Sequence, residues 1–210
     1  MALLTGTGLC RHYGGVTALA GVSLQVEAGE TVGVIGSNGA GKTTLFQLLT
    51  AFERPDAGTI RLHTQGGEIA VHTMPAHRLA RMGVGRTFQN LRLFERLTVR
   101  ENIQSAVFSL GITGFSLDEL LERLSLVREG DVAANELPYG ARKMCELGRA
   151  VTVASGGCGL LFLDEPCAGL SAGEAERLSL LLRQLKERFR LTLFIIEHHM
   201  AFLEGLCDRL

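Results

Sequence analysis

Three predominantly apolar, β-branched or leucine-rich runs divide the chain and predict buried strands. They span residues 30–35, 159–163 and 191–196. Runs without alternation of apolar and polar residues are typical of strands covered on both faces, as in a parallel sheet surrounded by helices. Between the last two runs the apolar spacing becomes that of an amphipathic helix. The stripe of that helix comprises Leu178, Leu181, Leu182, Leu185 and Phe189.

The first third of the chain has a different pattern, which favours antiparallel strands. Residues 3–10 and 18–26 indicate two strands joined by a turn at Gly14-Gly15. Residues 59–63 alternate as a further strand after a Pro- and Gly-containing turn at 54–58. A short helix over 75–82 and a short strand over 83–88 are predicted next. The expected fold class is therefore α/β, with a mostly parallel sheet and an N-terminal antiparallel β subdomain.

From residue 91 to residue 155 the pattern is helical and interrupts the alternation of strands and helices. Leucines recur at helical spacing from Leu117 to Leu124, and Met144 to Ala154 carry the apolar stripe of the last helix in the block. We expect one domain over 1–210. In it, 91–155 form an inserted α-helical subdomain, and 1–90 with 156–210 form the core and the β subdomain.

Directly after the first apolar run lies a segment that fits the pattern G-x-x-x-x-G-K-[ST] of a P-loop. Such a loop is nearly free of side chains, so that backbone N–H groups can surround a polyphosphate at the start of a helix. The lysine would reach the β- and γ-phosphates and the threonine hydroxyl would coordinate Mg²⁺. An ordinary glycine-rich turn is the alternative. The predicted ligands of ATP here are Gly36, Ser37, Asn38, Gly39, Ala40, Gly41, Lys42, Thr43 and Thr44, with Thr43 also a metal ligand.

The second apolar run ends in Asp164-Glu165. Carboxylates at the C-terminal end of a buried parallel strand lie where open α/β sheets bind ligands. Asp164 is therefore expected to hold the Mg²⁺ shell, and Glu165 to orient or deprotonate an attacking water. The alternative for an acidic pair in this place is the N-cap of the following helix.

Composition restricts the possible partners. The chain of 210 residues is 46% hydrophobic and 20% charged, and its net charge is −1 with only three lysines, so no nucleic-acid partner is expected. Six arginines between Arg78 and Arg100 indicate a solvated or partner-facing surface. Five cysteines without a C-x-x-C pair indicate reduced thiols. With no signal peptide or apolar run of membrane-spanning length, we expect a soluble cytoplasmic chain that lies against a membrane protein.

Tyr13 precedes the turn between the first two predicted strands. Its ring could stack on an adenine base or pack on a neighbouring strand residue, and its position alone leaves both open.

In the order of its motifs the whole chain resembles the nucleotide-binding subunit of an ABC transporter. The resemblance implies that Tyr13 stacks on adenine and that Gln89 contacts Mg²⁺ or the water and senses a membrane partner. It implies that His198 lies over the γ-phosphate and acts with Lys42, Gln89 and Glu165 in hydrolysis. It also makes Leu137, Pro138, Tyr139 and Gly140 the signature loop, with Ala141 after it, and residues 168–171 the loop that follows the acidic pair.

Within this family the chain is most similar to the ATPase subunits of branched-chain amino-acid importers. The similarity is carried by residues 82–94, residues 97–102 and Ile196-Glu197-His198 followed by Met200. A urea or amide importer of the same group is the alternative substrate assignment.

The resemblance also implies an assembly. Two such chains, copies or paralogues, would close head to tail on two ATP molecules, with the signature loop of each completing the site of the other. Membrane-spanning permease subunits would be direct partners and a solute-binding protein an indirect one, which implies a peripheral location on the inner face of the cell membrane.

Three features depart from the family pattern. Pro138 and Ala141 replace the usual Ser and Gln, and Ser171 replaces Asp. The family also continues beyond Leu210 through another strand and helices, so a truncated or short form is expected.

Two other functions stay open: a nucleotide-dependent switch without transport, and a subunit that binds ATP but hydrolyses it weakly.

Overall fold

The computed structural model describes residues 1–64 and 66–210. The elements in chain order are β1 Ala2–Tyr13, β2 Val16–Glu27, β3 Thr31–Val34, α1 Lys42–Leu49, β4 Ala57–Thr64, β5 Gly67–Ala70, α2 Ala76–Arg81, β6 Val84–Arg86, α3 Val99–Leu110, α4 Leu117–Arg123, α5 Tyr139–Ser155, β7 Leu160–Asp164, α6 Ala172–Phe189, β8 Thr192–Ile196 and α7 Met200–Leu206.

The strands form two sheets. One is antiparallel with the order β2-β1-β4-β5, and the other has the order β3-β8-β7-β6 with every neighbouring pair parallel. This confirms the predicted fold class. The turn at Gly14-Gly15 and the predicted strands and short helix are also present.

The parallel sheet separates two hydrophobic cores. Leu161 and Leu163 of β7 face a core built with α3–α7, whereas Leu160 and Phe162 face a core built with α1 and the antiparallel sheet. Strand β8 alternates in the same way. Both faces of these strands are therefore buried, which is why their sequences show no polar alternation.

The helical block lies between β6 and β7 and contains α3, α4 and α5. The apolar pattern in the first half of this block is divided between α3 and α4, because Gly111 ends α3 in the left-handed conformation with φ 63°. The second half of α5 packs directly on β6. A Cβ atom at Gly85 would lie 2.0 Å from the Ala150 carbonyl oxygen. Helix α5 thus joins the helical block to the core sheet.

The last residues lie along the outer edge of β3. Arg209 forms a parallel bridge with Val32, and Gly33 N donates to the Arg209 carbonyl at 2.9 Å. All five cysteines are free thiols in the part of the chain that the structure describes. Within the same residues no helix has both the length and the apolarity needed to span a membrane.

Candidate functional site

Three segments that the sequence singles out emerge side by side at one edge of the parallel sheet. Val34, Ile196 and Asp164 lie in one row across β3, β8 and β7. The row continues beyond the strands, because Glu197 N donates to Val34 O at 3.3 Å and Glu165 N donates to Ile196 O at 2.9 Å. The start of the P-loop, the acidic pair and the 197–198 segment therefore meet at the carboxyl ends of the strands.

The P-loop leads from β3 into α1, and its backbone carbonyl groups bind the side chain of its own lysine. Lys42 Nζ donates to the carbonyl oxygens of Gly36 at 2.7 Å and Ser37 at 3.0 Å. Gly41 caps α1 with φ 87°, and a Cβ atom there would lie 2.4 Å from the Ala18 carbonyl of β2. The loop is therefore held closely against the antiparallel sheet, and only glycine fits at this point.

This loop has the donors that a polyphosphate requires. The first N–H groups of α1 have no acceptors within the helix, and the positive end of the helix dipole adds to the charge of Lys42. Thr43 is exposed in the first turn of α1. No cluster of three or more His, Cys, Asp or Glu suitable for a metal occurs in 1–64 and 66–210. The Thr43 hydroxyl and the Asp164 carboxylate fit Mg²⁺, which typically takes its other ligands from phosphates and water.

The acidic pair ends β7 in a partly buried environment. Burial raises the pKa of Asp164 above its usual value; the nearby Arg86 guanidinium opposes this rise, and the charges of Glu165 and Glu197 add to it. Glu165 adopts the left-handed conformation, with φ 46°, which is uncommon for a residue with a side chain. Helix α6 begins only at Ala172 and is capped by Ser171, so the pair does not cap that helix.

The other predicted catalytic and nucleotide-binding side chains are solvent-accessible. His198 is 69% exposed, and its Nδ1 lies 3.4 Å from Glu197 Oε1. Gln89 is exposed three residues beyond β6. Tyr13 is exposed at the end of β1, where its hydroxyl bonds to Glu53 and its ring lies 4.9 Å from the Arg11 guanidinium carbon. Tyr13 thus lies on the hairpin whose second strand contacts Gly41.

The predicted signature loop is at a different place. Leu137 is buried, Pro138 is the N-cap of α5, and a Cβ atom at Gly140 would meet no atom within 4 Å. Among the described residues no hydrogen bond joins 137–140 to 36–44. The structure therefore brings the P-loop, acidic pair and His198 together, and leaves the start of α5 open to solvent.

Two buried carboxylates organise the site and carry no predicted role in the sequence. Glu197 is 1% exposed and accepts hydrogen bonds from Cys167 N at 2.9 Å and His198 N at 2.9 Å. It ties the loop after the acidic pair to the histidine segment. Glu146 of α5 is 5% exposed and bonds to the segment that contains Gln89. No local pattern distinguishes either from a solvated glutamate.

The sheet order and the chemistry at its edge are those of a P-loop ATPase. A family comparison narrows this class, since the model described as "ABC transporter" matches residues 19–168. The chain belongs to the ABC transporter family and is an ATPase of that family.

Several relatives are similar over nearly the whole chain. The high-affinity branched-chain amino acid transport ATP-binding protein LivG of Salmonella typhimurium is 37% identical over 227 aligned positions, which cover 99% of this chain and 86% of the relative. LivG of Escherichia coli K12 gives the same values. The corresponding protein BraF of Pseudomonas aeruginosa is 36% identical with the same coverage.

Solved structures agree with the fold. The ADP conformation of MJ1267, an ATP-binding cassette of an ABC transporter, matches with a TM-score of 0.81 and 28% identity, over 99% of this chain and 85% of that one. The dimeric cassette MJ0796 matches with a TM-score of 0.80 over 97% of this chain and 91% of that one; at 22% identity it bears on the fold alone.

Proposed function

We propose that this chain binds and hydrolyses ATP to power the import of branched-chain amino acids through a membrane permease. The observation that carries the proposal is the row formed by the P-loop, Glu165 and His198 at one sheet edge. The substrate class is supported by the names of the LivG and BraF relatives.

The predicted site residues divide the tasks of phosphoryl transfer. Lys42 and the N–H groups of α1 hold the β- and γ-phosphates, and Tyr13 stacks on the adenine. Thr43, Asp164 and Gln89 are the protein groups that would hold Mg²⁺, which neutralises charge on the phosphate oxygens when bound.

Hydrolysis requires a water to attack the γ-phosphorus while the bond to the β–γ bridging oxygen breaks. Glu165 orients this water and accepts its proton, and ADP leaves with the bridging oxygen. His198 donates a hydrogen bond to the γ-phosphate, and Glu197 fixes its ring. The products are ADP and inorganic phosphate.

A second chain completes the site. Because the start of α5 is open and makes no hydrogen bond to its own P-loop among the described residues, its N–H groups are available to the ATP of a partner placed head to tail. Pro138 and Ala141 supply no hydroxyl or amide there, so backbone groups around Gly140 bind the phosphate. We propose this arrangement for a homodimer or a pair of paralogues.

The permease docks on a groove of about 550 Å³ between the core and the helical block. It is lined by apolar side chains, Phe88 and Phe94 among them, and by several arginines, including Arg81, Arg92 and Arg149. Phe88, Arg92 and Phe94 line this groove, and Thr87 and Phe88 also line a smaller space that contains Asp164. The segment from Thr87 to Phe94 therefore transmits the nucleotide state to the permease. Docking there gives the chain a peripheral position on the inner membrane face.

The test compares steady-state phosphate release by the wild type and Glu165→Gln. Removal of the group that activates water is expected to lower kcat by about 100-fold or more while ATP still binds. Glu187→Gln is the matched control, because Glu187 is exposed on α6 and the charge change is identical. Two experiments test the transport role. The chain should co-purify with a permease, and the double variant Arg92→Ala/Phe94→Ala should lose amino-acid uptake while it still binds ATP.

One observation favours a second function, a subunit that binds ATP and hydrolyses it weakly. The signature loop has Pro138 and Ala141 where the family carries polar side chains. A wild type no faster than Glu165→Gln would support this second function and contradict the first.

A further inference from the structure

Glu146 places a buried carboxylate beside residues 88–94, here called the Gln89 segment. It lies in the first half of α5 and is 5% exposed. Its Oε2 accepts a hydrogen bond from Phe88 N at 3.3 Å, and its Oε1 accepts one from Arg92 N at 2.8 Å. The two oxygens therefore hold the backbone on both sides of Gln89.

A second side chain of α5 strengthens this attachment. Arg149, three residues further along the helix, donates to the Arg92 carbonyl oxygen, and its guanidinium carbon lies 4.8 Å from the Phe94 ring centroid. The guanidinium of Arg92 in turn covers the Phe88 ring at 4.4 Å. The backbone of residue 92 is thus bonded to α5 through both its N–H and its carbonyl group.

The position of Glu146 connects three parts of the molecule. It lines the arginine-rich groove, and it also lines a smaller space that contains Thr87, Lys143 and Asp164. It belongs to the helix that begins at Tyr139. A displacement of α5 would therefore carry both the start of that helix and the Gln89 segment with it.

A buried carboxylate has a large desolvation cost, which an apolar side chain at the same place would avoid. Burial raises the pKa of Glu146, while the two N–H donors and the guanidinium groups of Arg92 and Arg149 oppose the rise. Its hydrogen bonds go to backbone groups of the Gln89 segment and not to another element of the core. This points to a role in positioning that segment.

We propose that Glu146 is a positioning residue that fixes the Gln89 segment to α5, so that Gln89 and the signature end of the helix move as one body during ATP hydrolysis. The inference rests on the proposed function, in which Gln89 acts beside Asp164. Glu146 itself does not touch the substrate; it acts through the placement of Gln89.

The main test uses Glu146→Gln, which keeps the size of the side chain but replaces one acceptor with an amide that opposes a backbone N–H. We expect the Kd for ATP to change by less than about threefold and kcat to fall by about tenfold, with a higher Mg²⁺ concentration needed for half-maximal rate. Leu120→Val is the control for stability, because Leu120 is fully buried in the same helical block and its side chain has no hydrogen-bonding group that could hold the segment. Its kcat should equal that of the wild type at a temperature where it is folded.

A double-mutant cycle with Gln89→Ala separates positioning from a merely structural role. If Glu146 acts through Gln89, Glu146→Gln/Gln89→Ala should hydrolyse ATP within about twofold of Gln89→Ala alone. Multiplicative losses in the double variant, or a Glu146→Gln enzyme with wild-type kcat and Mg²⁺ dependence, would overturn the inference while the proposed function stands.

If Glu146→Gln does not fold, Arg149→Lys gives the same information. The lysine ammonium of this variant is a shorter, non-planar donor and weakens the hydrogen bond to the Arg92 carbonyl. We therefore expect kcat to fall by the same factor as in Glu146→Gln, with the ATP affinity unchanged. Wild-type kcat in that variant would contradict the inference. A wild type without Mg²⁺-dependent hydrolysis would instead overturn the proposed function together with it.

Discussion

At the scale of single residues, the site is built from charges that the fold has partly removed from water. Asp164 lies near Arg86, whose guanidinium carbon is 4.5 Å, 4.4 Å and 4.9 Å from the ring centroids of Phe46, Phe52 and Phe88. Burial lowers the pKa of Arg86 to about 10. The motif predicted Asp164, whereas the aromatic enclosure of Arg86 combines rings from the α1 segment and from the loop after β6 and had no signal in the sequence.

The raised pKa of Asp164 gives a prediction with a definite sign. A carboxyl group whose pKa is higher in the folded state stabilises the fold below its unfolded pKa, and this contribution is lost as pH rises through the folded value. Asp164→Asn should therefore have a higher Tm than the wild type at pH 7 without nucleotide, and the difference should shrink as pH falls towards 4. Calorimetry from pH 4 to pH 7 measures it. A lower Tm for the variant at pH 7 would contradict the account.

The enclosure of Arg86 predicts that lysine is a poor substitute. Arg86→Lys loses the planar stacking on three rings and weakens the bond to Thr50 Oγ1, now 2.6 Å long, so the free energy of unfolding should fall by about 1–2 kcal/mol. Arg61→Lys, at an exposed ion pair with Glu68, should change it by less than about 0.5 kcal/mol. Urea denaturation compares the two, and equal losses would argue against the stacking.

At the scale of elements, the sequence predicted best the strands that are buried on both faces. Strands β7 and β8 face a core on each side, so their runs were predicted with nearly correct bounds. Strand β5, by contrast, is four residues long with no fully buried residue, and no prediction included it. The roles of Glu146 and Glu197 were not predicted for a related reason, because loops remote in sequence bury these two side chains.

The contact between the P-loop and β2 predicts a specific effect of one methyl group. Gly41→Ala would place a Cβ atom 2.4 Å from the Ala18 carbonyl and force alanine to a φ of 87°, so ATP affinity should fall by about tenfold or more, with a cost of about 1–3 kcal/mol in stability. Gly21→Ala is the control, since its φ is 73° but its Cβ would meet no atom within 4 Å. Nucleotide titration should show loss of affinity in Gly41→Ala alone; unchanged affinity there would contradict the proposed close contact.

At the scale of the whole molecule, the two sheets and the helical block meet around one edge. The antiparallel sheet contacts the P-loop through Ala18, the parallel sheet presents Asp164 and His198, and α5 connects its first residues, the proposed signature loop, to the Gln89 segment. The motifs named the P-loop and the acidic pair, and the family resemblance named His198. How they are held had to come from the fold, because each attachment is made by residues remote in sequence. The division into a core and an inserted helical subdomain stays a prediction, since α5 packs against both α3 and β6.

The most direct test of the central claim is the Tm of the wild type and Lys42→Ala, measured by calorimetry with and without Mg·ATP at 100 times its Kd for the wild type. Binding to the folded state alone adds about 2.7 kcal/mol at that concentration, which raises Tm by roughly 5–10 °C for a chain of this size. We predict this rise for the wild type and a much smaller one for Lys42→Ala. A wild-type Tm that does not change with Mg·ATP, or an equal rise in both proteins, would contradict the placement of the triphosphate between the P-loop and the acidic pair.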